Sequence, residues 1–321
     1  MKALVRTFAS RDVLRVYAAY GAAVLLFVIG SFIHPGFASR ESVTTILLIS
    51  SFIGLVAAGQ CFVVLIGGID LSVPWVLNAA AILLATASLG QNDRALYAIV
   101  LTLGMGALAG LANGIFVVFF EVPAVVMTLA MDGIVEGLTL GLSGGLTCGA
   151  CASYAPPVVQ KVVHGVVLGV PAALWLWLAI IVFVSFVLSF TRFGRATYAI
   201  GNNPRAAFLA GVNVNLTTVF LYVLSGLFSA LAGILLVGFG GQASLGMGNP
   251  YLFQSIAAVV IGGVSILGGS GLYVGVAAGA ISLTALVSVL LALDMPQYGR
   301  SIIYGLVILA LLLLYGREER Q

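Results

Sequence analysis

The chain returns repeatedly to apolar runs of membrane-crossing length with almost no charge inside them. Ile302 to Tyr315, for example, is apolar throughout and broken only by Gly305. A helix needs roughly 20 mainly apolar residues to cross a ~30 Å hydrocarbon layer, so a chain of this length has room for about ten. Composition closes the soluble alternative. Hydrophobic residues make up 62% of the 321 positions and charged residues 7%, against roughly 25% charged in an ordinary soluble domain. Too few charges remain to cover a globular surface, and lipid is the solvent that suits such a chain. A transmembrane β-barrel would alternate apolar and polar residues in segments of ~10, and no such alternation occurs. The expected fold is all-α, a polytopic transmembrane helical bundle forming a single domain over residues 1–321.

The spans are predicted near 17–33, 43–66, 73–90, 95–120, 122–141, 166–190, 216–239, 252–267, 272–293 and 299–315. The first follows Lys2, Arg6, Arg11 and Arg15, the order of a signal peptide. Its apolar run is long and no small-residue cleavage site follows, so it reads as a span. Orientation follows from the cytoplasmic excess of Lys and Arg. With about ten spans and the amino terminus inside, Lys2, Arg6, Arg11, Arg15, Arg192, Arg195, Arg205, Arg317 and Arg320 fall on the inner side. The outer side receives Arg40, Arg94, Lys161 and Arg300. Both termini are therefore expected in the cytoplasm, with 1–16 as an amino-terminal cytoplasmic segment and 191–215 as an inner loop. The formal charge of +3 is too small and too dispersed to argue for nucleic acid.

Gly106, Gly110 and Gly114 recur every fourth residue, as do Gly271, Gly275 and Gly279. This spacing lets helices approach closely. The two rows fall on the fourth and ninth spans, which correspond if two five-span halves are repeated, and halves with an odd span count are inverted.

Three polar segments interrupt the apolar pattern. In the inner loop, Asn203 is placed to cap a helix starting at Pro204, whose missing N–H costs nothing in the first turn. Gly211 suits the left-handed residue that ends it. A helix of about two turns, Pro204 to Ala210, is unstable alone in water and needs something to dock against. Arg195, Gly201, Asn203, Arg205 and Gly211 are its candidate functional residues. In the second segment, Gly67 and Gly68 break a helix and Asp70 is placed to cap the next by accepting backbone donors. A bare carboxylate at the bilayer centre costs roughly 2.5–3.5 kcal/mol or more, so Asp70 is expected near an interface or a water-filled cavity. In the third, Asp132 and Glu136 share one helical face, lining either a polar path or a structural pair. Gln60 is a further pathway candidate, and Asn78 is of the same kind.

Enzyme readings fail by inspection. A nucleotide P-loop ends in Gly-Lys-Ser/Thr, yet the lysines lie only in Met1-Lys2-Ala3 and Gln160-Lys161-Val162. Gly268-Gly269-Ser270-Gly271 resembles the serine motif of rhomboid proteases, but that chemistry needs a histidine base. His34 and His164 are predicted on the opposite face from Ser270. Cys148-x-x-Cys151 with His164 offers three zinc ligands, short of the usual four. A local disulfide outside the cytoplasm or free thiols are the other readings of that pair. Cys61, in an apolar run, reads as a buried hydrophobe.

The segment Gly194-Arg195-x-x-Tyr198-Ala199-Ile200-Gly201-x-Asn203-x-x-Ala206-Ala207-x-x-x-Gly211-Val212-Asn213 resembles the coupling region of ABC sugar permeases of the ribose/xylose/arabinose/galactoside type. Gly67-Gly68-Ile69-Asp70-Leu71-Ser72 matches that family's other signature. Ser255-Ile256-Ala257-Ala258-Val259-Val260-Ile261-Gly262-Gly263, followed by Gly268-Gly269, is a third match. Where family members for pentoses or hexoses often carry Tyr-Glu-Leu-Asp, this chain has Tyr251-Leu252-Phe253-Gln254. The resemblance implies a permease subunit in a bacterial inner membrane. Its implied partners are a second permease chain, a periplasmic substrate-binding protein, and an ATP-binding subunit that holds the ATP and Mg this chain does not. The cargo implied is a monosaccharide. An ion-coupled secondary transporter, with Asp132 and Glu136 relaying protons, is the alternative class.

Overall fold

A computed structural model describes residues 10–144, 154–300 and a few positions between 302 and 309. Cys148, Cys151, Lys2, Arg6, Arg317, Arg320 and most of the predicted tenth span lie outside the described residues. The helices are α1 (Ser10–Ile33), α2 (Arg40–Val64), α3 (Val73–Ser88), α4 (Ala95–Phe119), α5 (Ala124–Ser143), α6 (Pro157–His164), α7 (Ala172–Phe190), α8 (Arg192–Asn202), α9 (Pro204–Leu209), α10 (Val214–Gly240), α11 (Tyr251–Ile261) and α12 (Tyr273–Ala292). Between α6 and α7 a hairpin pairs β1 (Val166–Val167) with β2 (Val170–Pro171). Seven helices, α1, α2, α4, α5, α7, α10 and α12, are long and apolar enough to cross a membrane. The apolar α3 and α11 are shorter.

Nine of the predicted spans thus have a helix at their position; α1 starts well before the predicted residue 17, at Ser10, and three spans are trimmed for a common reason. The predicted span 166–190 begins only at Ala172, because Val166 to Pro171 folds back on itself. The predicted span 252–267 stops at Ile261, where Gly262 and Gly263 end the helix. The predicted span 73–90 ends at Ser88, with Leu89 left-handed at its C-cap. Each trim has one cause: hydropathy registers apolar residues whether or not they are helical.

α2 is the central helix, buried along most of its length and packed against α10, α11, α12 and α7. α4 lies along α10, and α1 along α12. Glycine sets these distances of approach. A Cβ on Gly110 would strike the backbone of Tyr222 on α10, and one on Gly114 would lie 2.7 Å from the Val219 Cα. On α12, Gly275 and Gly279 face the Gly262 and Ala258 carbonyls at the end of α11. α5 also carries a four-residue glycine row, Gly133, Gly137 and Gly141, but a Cβ added there would meet nothing within 4 Å. The outward side chains of α1, α4, α5 and α7 are large and apolar, as a lipid-facing surface requires.

Candidate functional site

Two helix breaks and the segment 191–213 meet at the candidate site. α2 closes with Gly67 N–H donating to the Val64 carbonyl (2.8 Å) and Gly68 N–H to the Val63 carbonyl (3.0 Å). Gly67 is left-handed at φ 78°. This is the Schellman pattern, in which a residue without a Cβ turns the chain while the last carbonyls are satisfied. α11 closes the same way: Gly263 N–H donates to the Val260 carbonyl (2.9 Å) and Val264 N–H to the Val259 carbonyl (3.2 Å). Gly263 has φ 83°.

The first break is stitched into the bundle by side chains. One Asp70 carboxylate oxygen accepts from the Ser72 N–H (3.0 Å) and hydroxyl (2.6 Å). The other accepts from the Ser225 hydroxyl of α10 (2.6 Å). Asn113 of α4 donates its amide to the Ser72 hydroxyl (2.9 Å), and the Thr128 hydroxyl of α5 donates to the Ile69 carbonyl (3.2 Å). Asp70 is buried within the chain. Three donors take the place of water around the carboxylate. Asp70 accepts a backbone donor at the start of α3, as expected, but is not its N-cap residue. Ser72 is the N-cap residue and offers no side-chain cap bond. A carboxylate from another helix supplies one instead: Asp132 of α5 accepts from the Trp75 N–H in the first turn of α3 (3.3 Å).

The second break is held by backbone. Ser265 N–H donates to the Ser270 carbonyl (3.0 Å), and Gly268 N–H to the Ser265 carbonyl (3.1 Å). Gly269 N–H then crosses to the Leu65 carbonyl at the end of α2 (2.9 Å), joining the two breaks directly.

The segment 191–213 packs against this junction. It holds two helices where one was expected, because α8 precedes the short capped helix. Thr191 caps α8 through its hydroxyl, which accepts from the Gly194 N–H (3.1 Å). Gly201 of α8 sits so close that a Cβ there would collide with the Leu65 carbonyl and the Gly269 N–H. Asn202 donates to the Gly269 carbonyl (3.0 Å) and Tyr198 to the Gly271 carbonyl (2.7 Å). The Phe193 ring lies 6.4 Å from that of Phe62 on α2. α9 follows as the capping residues require. Asn203 accepts from the Ala206 N–H (3.0 Å), and Gly211 is left-handed at φ 85°. Arg195 is exposed and donates to the Phe190 carbonyl (3.3 Å), and Arg205 is exposed. Phe208 and Leu209 stand 69% and 85% exposed on α9.

The structure therefore brings Gly67, Gly68, Asp70 and Gly201 into one cluster, with Asn203 and Gly211 shaping the helix beside it. Glu136 is half-buried on α5, one turn from Asp132. Gln60 is buried in α2, and neither amide atom is hydrogen-bonded among the described residues; Asn78 is in the same condition. Ser225 and Asn113 are the network members that the sequence concealed. A lone polar residue in an apolar run carries no signal of which neighbour it faces. His164 lies against the Phe239 carbonyl (3.1 Å). Among the described residues no cluster of metal-ligating side chains occurs.

Comparison with known proteins agrees with this geometry. The chain is 35% identical to the autoinducer 2 import system permease protein LsrC of Escherichia coli K12 over 303 residues, covering 94% of this chain and 87% of the relative. It is 33% identical to the ribose import permease protein RbsC of Haemophilus influenzae over 293 residues, covering 91% and 90%. No solved structure matches the chain. Residues 42–312, which contain both breaks and the segment 191–213, match the family model described as branched-chain amino acid transport system / permease component, and the chain belongs to that family of membrane permeases.

Proposed function

We propose that this chain is the membrane-spanning subunit of an ABC importer in a bacterial inner membrane. It moves a monosaccharide or a similar small polar solute by alternating access, driven by a separate ATPase. The observation that carries the reading is Gly201 of α8 seated against Leu65 and Gly269. A rigid contact between an inner surface helix and two helix breaks is what a pushing partner needs in order to move the bundle. The exposed Phe208 and Leu209 on α9 supply the apolar face for that partner. Arg195 and Arg205 flank it, while Asn203 and Gly211 hold its shape. The ribose and autoinducer 2 import named for the relatives supports a sugar-like cargo.

In this reading the chain crosses about ten times, with both termini and α8–α9 in the cytoplasm. Its helix pairings support an inverted repeat. α4 packs on α10 as α12 packs on α2, and α3 packs on α10 as α11 packs on α2. The glycine rows do not carry that symmetry, because the α4 row faces α10 whereas the α12 row faces α11. The open glycine face of α5, next to Asp132 and Glu136, lines the solute pathway between this chain and a second permease subunit. Gln60, a buried polar side chain on α2, is a further candidate for the pathway. A periplasmic binding protein delivers the solute.

The test is uptake by proteoliposomes carrying this chain, its ATPase and its binding protein, run over a panel of sugars. Uptake of one sugar that requires both ATP and the binding protein is expected. Uptake that continues without the ATPase and collapses with an ionophore would overturn the proposal.

A further inference from the structure

The β1–β2 hairpin is built in a way that suits lipid and not water. From Val166 to Trp175 no side chain is charged, hydroxylated or an amide. Its turn residues, Leu168 and Gly169, are both left-handed, at φ 52° and 78°. Such turns at an aqueous surface favour Asn, Asp and Gly, which tolerate that conformation and hydrate well. Here a leucine takes the strained position with 86% of its surface exposed, and Val166 beside it is 69% exposed. Three of the peptide carbonyls around the turn are also provided for. The Trp175 indole N–H donates to the Val167 carbonyl (3.0 Å), and the Arg40 guanidinium donates to the Gly169 carbonyl (2.9 Å). Ala172 N–H donates to the Gly165 carbonyl (2.7 Å) at the open end. Satisfying backbone groups internally is the condition for placing non-helical chain in a lipid environment.

The exposed tip also continues a lipid-facing surface. Trp175, Leu178, Val182, Phe186 and Phe190 form one exposed stripe along the membrane helix α7, and Trp175 at its outer end touches the hairpin. Tryptophan beside an apolar surface and an arginine reaching over it are the usual composition of a membrane–water boundary.

We propose that the β1–β2 hairpin is a lipid-interaction element whose Leu168 tip and Val166 lie in the boundary between headgroups and acyl chains of the outer leaflet. It pins the outer end of α7 and sets the depth of that helix. The occupant is lipid, and the periplasmic binding protein does not rest on this tip.

Spin labelling of the full chain in lipid nanodiscs tests this. Leu168→Cys and Val166→Cys are each made in a Cys148→Ser/Cys151→Ser background, with Lys161→Cys on exposed α6 as the aqueous reference. Labels at 168 and 166 are expected to collide severalfold more with oxygen than with a water-soluble nickel chelate, relative to the label at 161. Adding the binding protein should leave that ratio unchanged. Either site suffices if the other variant does not assemble. A ratio at 168 and 166 equal to that at 161 would overturn the proposal, as would labels that become shielded only when the binding protein docks.

Discussion

The two helix breaks start from the same backbone turn and are secured by opposite means. Each ends its helix with a left-handed glycine and the same pair of backbone hydrogen bonds. The break after α2 is then tied by side chains to α4, α5 and α10, with Asp70 at the centre. The break after α11 is gripped through its own backbone carbonyls and amides. Its backbone is held instead by Leu65 and by Tyr198 and Asn202 of α8. On the proposed coupling role of α8, a displacement of that helix reaches both breaks through Gly201 and the second break also through Tyr198 and Asn202, while Asp70 and its partners hold the first to α4, α5 and α10.

The sharpest way to break this comparison is Gly201→Val, a hypothesis motivated by its contact with both breaks. The new side chain would meet backbone at Leu65 and Gly269, which cannot rotate away. The cost should exceed the ~1–3 kcal/mol usual for overpacking. ATP-driven uptake should fall to background with the chain still in the membrane. Near-normal uptake in this variant would remove the proposed contact from the mechanism.

Asp70→Ala should come next. It leaves the Ser72 and Ser225 hydroxyls without their acceptor in a buried site, at about 1–3 kcal/mol each. Thermal unfolding of the detergent-solubilised chain should show a clearly lowered midpoint, and Asp70→Asn should recover part of it. An unchanged midpoint for Asp70→Ala would show that the first break is not held by its side chains.

Gly211→Val is expected to act more locally. Nothing lies within 4 Å of the added Cβ, so the penalty is only the ~1–2 kcal/mol of a β-branched residue in the left-handed region. Pull-down of the partner ATPase should weaken while the bundle's unfolding midpoint stays put. A smaller effect than these belongs to Tyr198→Phe. It removes one hydrogen bond to Gly271, worth roughly 0.5–1.5 kcal/mol. Uptake should drop modestly, and more than it does for Ser225→Ala if the second break is the one that α8 controls.

Much of this was legible in the chain because membrane helices announce themselves by length and apolarity. The capping of α9 was equally plain, since Asn203, Pro204 and Gly211 each have one strong positional preference. The boundaries at Ala172 and Ile261 were not, because a lipid-buried hairpin and a glycine turn are as apolar as a helix. α8 was hidden for the opposite reason. Its two glycines and mixed polarity argue against a helix in isolation, and its order comes from contacts with Leu65 and Gly269 far away in sequence. Asp70 stood out as an acid between apolar runs, while Ser225, which completes its site from α10, looked like any small residue in an apolar run. The open glycine row on α5 has the same spacing as the filled rows on α4 and α12, and only the packing tells them apart.

Site-specific photo-crosslinking at Phe208 in the assembled importer tests the central claim most directly, because that side chain stands exposed on α9, the helix that continues α8. The account predicts an adduct with the ATP-binding subunit whose yield changes between ATP-bound and nucleotide-free states. An adduct with the binding protein, or labelling of position 208 by a reagent confined to the periplasm, would contradict it.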